Sequence, residues 1–201
     1  MNRRASLFVT ASAVALAFAA LGSSPAAAGI STYGSWDGSS YVQPFGCPDT
    51  TTYGTIITIP KGKTHLGKFH FSWINLTSGG SMVVRGEVYA WDGAKATGSA
   101  LYESGPKKVS FSDGLFHKVG FKATLVPVTP GAQYVIFASI DKDYEKCTNS
   151  YEVGWGYIGS DVYPGGGFVY QNNAGDENQW TATPWNTFGG ADIAFKVATS
   201  P

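Results

Sequence analysis

The residues best suited to chemistry lie in two short stretches. The first is Tyr170 to Trp185, YQNNAGDENQWTATPW, where amides and carboxylates are interleaved with aromatic rings. That mixture suits a sugar, because flat rings stack on C–H faces while amides and carboxylates satisfy hydroxyls. Trp91, Tyr102, Tyr170, Trp180 and Trp185 supply candidate rings, and Asn172, Asn173, Asp176, Glu177 and Gln179 a candidate polar fringe. The competing reading places the same rings in the core, the usual home of aromatic side chains in a small sandwich. The second stretch is Asp141-Lys142-Asp143-Tyr144-Glu145, whose Asp141, Asp143 and Glu145 alternate and offer hard oxygen ligands of the type calcium takes. It lacks the glycine and spacing of a twelve-residue calcium loop, so a solvated acidic loop is the alternative. Calcium is the only cofactor this reading allows.

Other chemistry finds little support. A glycosidase needs two carboxylates facing each other across a cleft. Arg85 and Glu87, two residues apart, share a strand face that Glu103 can join, and a cross-strand ion pair is the simpler expectation. His65, His70 and His117 lack the spacing that brings two imidazoles to one metal. No Gly-x-Ser-x-Gly and no phosphate-cradling glycine loop occurs. A non-catalytic protein is therefore expected, with a polysaccharide hydrolase or lyase as the remote alternative.

These residues need a scaffold, and the patterning indicates an all-β one. From Met82 to Trp91 apolar and polar positions alternate with the period of two that defines a strand. Asp92-Gly93 then supplies a turn. Tyr53 to Ile59, Phe69 to Trp73, Tyr151 to Tyr157, Phe168 to Tyr170 and Ile193 to Val197 read as further strands, with a short one around Tyr41. Val109 to Phe121, broken at Asp113-Gly114, reads as a hairpin. Gln133 to Ile140 is apolar on both faces, as an interior strand covered by two layers must be. No stretch keeps a helical period for three turns, and 26 Gly and 10 Pro punctuate the chain. About eight to ten short strands at that spacing predict a two-sheet antiparallel sandwich, jelly-roll-like, with a closed barrel as the alternative.

The first residues carry Arg3 and Arg4, an apolar run from Leu7 to Leu21, and Ala26-x-Ala28 before Gly29, the layout of a secretory signal peptide. Residues 1–28 are expected to be that leader and residues 29–201 one domain. The expected location is extracellular or periplasmic, with no membrane span in the mature chain. Outside the cytoplasm, Cys47 and Cys147 are expected to pair in a disulfide. The full chain has 14 basic and 14 acidic residues, and loss of Arg3 and Arg4 leaves 12 basic. Such a balance argues against nucleic acid or an anionic membrane as partner.

Val88 to Gly93, Ala96 to Ser104 and Gly165 to Asn173 resemble a group of secreted bacterial β-domains often found ahead of a C-terminal sorting tail of the PEP type. Tyr53 to Pro60, Thr129 to Val135 and Asp192 to Phe195 fit the same pattern. The resemblance implies the fold and an extracellular setting, and attaches no catalytic role to any residue. The residues before Pro201 lack the Pro-Glu-Pro, apolar span and basic end of that tail. Polysaccharide or other extracellular-matrix material is the expected partner, and a structural domain meeting another protein at a strand edge is the runner-up.

Overall fold

Alternation settles into two layers. A computed structural model describes residues 29–47, 50–146 and 150–201. The expected leader and Cys147 lie outside the described residues. In chain order the strands are β1 (Ile30–Ser31), β2 (Tyr41–Gly46), β3 (Thr52–Thr58), β4 (His65–Asn75) and β5 (Met82–Trp91). They continue with β6 (Ala96–Glu103), β7 (Lys107–Val109), β8 (Phe116–Phe121), β9 (Val126–Pro127) and β10 (Gln133–Ser139). The last are β11 (Glu152–Ile158), β12 (Gly167–Gln171), β13 (Asn186–Thr187), β14 (Asp192–Ile193) and β15 (Phe195–Ser200). A 3₁₀ segment, Asp141–Lys146, and a single helical turn, α1 (Gln179–Ala182), interrupt them. No helix among the described residues is long and apolar enough to cross a membrane.

One sheet has eight strands and runs β1-β15-β4-β11-β14, with β8 and β9 also on β4 and β2 on β11. The other has seven and runs β13-β12-β3-β10-β5-β6, with β7 on β5. Every pairing is antiparallel. The sheets pack face to face as the sandwich that the sequence predicts. Phe45, Tyr53, Phe71, Trp73 and Trp155 meet at its centre, with ring centroids 4.5 to 5.5 Å apart. Each such pair contributes roughly 0.5–1.5 kcal/mol beyond its area. Gly86 shows how tightly the layers close: a Cβ there would lie 2.2 Å from the Phe121 ring of the opposite sheet.

One expectation is overturned and another is sharpened. Residues 109–121 do not form a hairpin, because β7 pairs with β5 in the seven-stranded sheet while β8 pairs with β4 in the other. The Asp113-Gly114 turn crosses between layers, and Leu115 at its end is exposed. β8 pairs where Val119 and Phe121 can enter the core, and β4 offers that place. The second concerns β10, which is apolar on both faces as expected. Tyr134, Ile136 and Ala138 face the inter-sheet core. Val135 and Phe137 belong to a separate apolar cluster with Tyr89, Trp91, Ala96, Val169, Trp180 and Trp185.

That second cluster lies on the outer face of the seven-stranded sheet, beneath residues 172–185. The segment leaves β12 after Gln171 and returns at β13, where Asn186 pairs with Tyr170. Its two ends are therefore neighbours and its middle is a lid, the geometry of a compact Ω-type loop.

Candidate functional site

Burial of the tryptophans decides what the loop can do. Trp91, Trp180 and Trp185 are only 8%, 2% and 5% exposed. Trp180 and Trp185 meet Phe137 edge to face with centroids 4.9 and 5.1 Å away, and Trp91 meets Trp185 at 5.8 Å. Tyr102 and Tyr170 turn the other way, into the inter-sheet core, where they touch Phe69 and Tyr53. None of the five rings forms an open stacking platform. The three tryptophans hold the loop to the sheet, since the outer face of β10 and β5 is as apolar as the inner one and needs a cover.

The loop is fastened by polar bonds as well. Asp141 Oδ2 accepts hydrogen bonds from the Trp180 indole at 2.7 Å, from Thr52 Oγ1 at 3.0 Å and from the Asn173 amide. The Trp185 indole donates to the Trp180 carbonyl at 2.9 Å, and the Trp185 backbone N–H to Ala94 at 2.9 Å.

At the base of this loop, between its two ends, is a cleft of about 350 Å³. Gln171, Asn172, Asn173, Ala174, Asp176, Gln179, Thr183, Pro184 and Asn186 line it, with no cation among them. Asp176 orders the rim. It accepts from the Gln179 amide at 2.8 Å and the Asn178 amide at 3.0 Å, and these bonds hold its carboxyl below the ordinary range, so it stays ionised. Gln171 forms the floor and is 4% exposed. Its amide nitrogen donates to the Gln179 carbonyl at 3.0 Å and to Thr183, while its Oε1 is buried and has no partner among the described residues. Asn172 and Asn186 are exposed, and no described residue engages their amides. The arrangement presents convergent amides, one carboxylate and a hydroxyl, which together can donate to and accept from an uncharged polyol.

Asn172, Asn173, Asp176 and Gln179 thus meet in one cleft. Glu177 does not join them. It turns to a neighbouring open recess of about 470 Å³ lined by Arg85, Glu103, Lys142 and Asp176 among others. Gln171, Thr183 and Asn186 are the polar lining residues that sequence reasoning missed, beside the apolar Ala174 and Pro184. The strand alternation of Val169 and Gln171 was the available signal for the first of them.

The acidic stretch is organised differently from a metal loop. Asp141 Oδ2 is occupied by Trp180, Asn173 and Thr52, while its Oδ1 is buried with no partner among the described residues. Asp143 pairs with Arg85 Nε at 2.9 Å and with Lys146. Burial works against the Asp143 charge, yet the bonds from Lys146 and Arg85 hold its carboxyl below the ordinary value. Glu145 is exposed. Among the described residues no group of three His, Cys, Asp or Glu side chains is placed to hold a metal ion.

The expected cross-strand pair is present, Arg85 to Glu103 at 2.9 Å, and Lys142 joins Glu103 at 2.6 Å. Glu87 stands directly opposite Glu103 in the β5–β6 register. It is wholly buried, and neither of its carboxyl oxygens has a partner among the described residues. Burial, reinforced by the charge of Glu103, pushes its pKa up to about 9. The two carboxyls neighbour each other, but Glu87 is sealed beneath the surface and Glu103 is neutralised by two cations. A substrate does not reach both.

Cys47 is buried, and there is no free cysteine among the described residues.

No family model matches the chain, and no curated protein sequence matches it. Among solved structures, the chain is similar to the cysteine protease and lectin-like domains of a surface-layer-associated protein of Clostridium difficile, with a TM-score of 0.41 and 12% identity. The similarity covers 75% of this chain and 32% of that one.

Proposed function

We propose that the protein is a secreted, non-catalytic β-sandwich that binds an uncharged polysaccharide segment in the amide-lined cleft at the base of the 172–185 loop. The observation that carries this reading is Gln171, whose buried Oε1 lacks a partner at the floor of a cleft ringed by the free amides of Asn172 and Asn186. A buried acceptor left unbonded costs about 1–3 kcal/mol, so Gln171 Oε1 gains a donor where the cleft floor shifts to admit a ligand hydroxyl, while the exposed amides of Asn172 and Asn186 meet hydroxyls as they stand. The lining is polar and without cations, which favours hydroxyls over anionic groups. The non-catalytic part of the reading rests on the sealing of Glu87 and Asp192, the two carboxyls among the described residues whose pKa burial raises.

The test is affinity electrophoresis of the purified protein through gels containing neutral polysaccharides. Retention should weaken roughly tenfold in the Asn172→Ala/Asn186→Ala variant, the equivalent of one or two lost hydrogen bonds. Equal retention of variant and parent, or none in any neutral polysaccharide, overturns the proposal.

A further inference from the structure

The outer face of the eight-stranded sheet carries a charge distribution that the neutral sum of the chain conceals. Along β4, core residues Phe69 and Phe71 alternate with outward Lys68 and His70. β8 buries Val119 and Phe121 and turns Lys118 and Gly120 outward, and β15 buries Phe195 and Val197 and turns out Lys196. The register sets Lys196 opposite His70 and His70 opposite Gly120, so cations from three adjacent strands meet on one face. Lys107 arrives from β7, its Nζ donating to the Gly120 carbonyl at 3.0 Å. The result is a cleft of about 280 Å³ lined by Lys68, His70, Lys107, Lys118, Gly120 and Lys122, with no carboxylate.

Gly120 makes the space. A Cβ there would lie 3.2 Å from Lys68 Cε and 3.3 Å from the His70 Cβ, filling the floor between them. None of these lysines, nor Lys196, forms an ion pair among the described residues. Neighbouring strands lie about 4.8 Å apart and alternate residues about 6.7 Å apart, both within the Debye length of roughly 10 Å at moderate salt. The cations therefore feel one another, and like charges facing across strands are destabilising. The titrations carry the same mark: burial, then the charges of Lys118, Lys68 and Lys196, lower the pKa of His70, and burial, then Lys68, lower that of Lys107.

We propose that this cleft binds an acidic polysaccharide, with carboxylate or sulfate groups seated between the lysine ammonium groups. Lysine presents point charges and no planar fork, so the site takes oxyanions without demanding bidentate geometry. A polymer with regularly spaced anions meets several lysines at once, which a single small anion cannot. Nucleic acid fits less well, because single-strand binding relies on open aromatic faces. Tyr33, the ring at the edge of the cleft, is stacked on His70 at 5.3 Å and covered by Lys118 at 5.1 Å. The site is independent of the amide-lined cleft. The two lie on the outer faces of opposite sheets, so one molecule can join an acidic chain to a neutral one.

The experiment is isothermal titration of the purified protein with polygalacturonate, dextran sulfate, neutral dextran and single-stranded DNA, at low and at high salt. Binding of polygalacturonate or dextran sulfate, weakened by salt, is expected. Retention of one and not the other identifies carboxylate or sulfate as the preferred group. Lys118→Glu/Lys196→Glu should weaken that binding by at least roughly tenfold, whereas Lys61→Glu/Lys63→Glu, the same change of net charge at a turn, should leave it unaltered. Lys118→Gln is the milder companion, and a cooperative thermal transition no lower than the parent's certifies that each variant is folded. Equal losses from both reversals, no binding of either polyanion, or DNA binding as tight and as dependent on Lys118 and Lys196, overturns the proposal. Loss of neutral-polysaccharide retention alone strikes the other cleft and leaves this one standing.

Discussion

The indole of Trp180 donates to Asp141 Oδ2 at 2.7 Å, tying the loop over the seven-stranded sheet to the 3₁₀ segment that follows β10. Both residues are buried, so this bond is shielded from water. Trp180→Phe keeps most of the ring packing and removes the donor. Denaturant unfolding should show a loss of about 2 kcal/mol, the scale of leaving a buried acceptor short of a donor. Hydrogen exchange should rise across residues 172–185 before it rises in β10. An unchanged unfolding midpoint would show that ring packing alone secures the loop.

Glu87 gives stability an unusual pH dependence. Its ordinary pKa of 4.5 is raised to about 9 in the folded protein, so the native state holds a proton that the unfolded chain has released. Stability from this group is complete below pH 4.5 and is lost progressively as pH rises toward about 9. At pH 7 the deficit is roughly 3 kcal/mol, at 1.36 kcal/mol per unit. Glu87→Gln should therefore be more stable than the parent at neutral pH and should flatten the profile between pH 5 and 9. A variant less stable at pH 8 would mean that the carboxylate is ionised and bonded.

Pairing of Cys47 with Cys147 closes a loop of about 100 residues and should stabilise by roughly 4 to 5 kcal/mol on the chain-entropy account. Thiol titration of the unreduced, denatured protein is expected to find no free cysteine, and reduction should lower the thermal midpoint. Two reactive thiols would contradict the pairing.

The crowded lysines of the eight-stranded sheet predict a salt effect opposite to that of an ion-paired surface. Lys118→Gln should raise stability by about 0.5 kcal/mol at low salt, and the gain should shrink as salt is added. A destabilised variant would indicate that the Lys118–Tyr33 contact outweighs the repulsion.

Much of the scaffold could be read from local pattern. The alternation from Met82 to Trp91 coincides with β5, and the two apolar faces of Gln133 to Ile140 foretold a strand covered on both sides. Pairing partners were less accessible, because they depend on distant segments. The expected hairpin at 109–121 failed when β5 and β4 each claimed one arm. The polar fringe of the 172–185 loop was legible because its residues are contiguous. The role of its tryptophans was not, since an aromatic side chain suits a cover as well as a platform, and only the apolar outer face of β10 decides between them. The lysine cleft draws on several separate strands, and no local window contains it.

The most direct test of the neutral-sugar cleft is an NMR titration with short neutral oligosaccharides, following the side-chain amide signals. The account predicts that Gln171, Asn172, Gln179 and Asn186 shift together and saturably while the indole signals of Trp91, Trp180 and Trp185 stay nearly fixed. Large shifts of those indoles with silent amides would contradict it, because they would mean that the loop opens and the tryptophans meet the sugar.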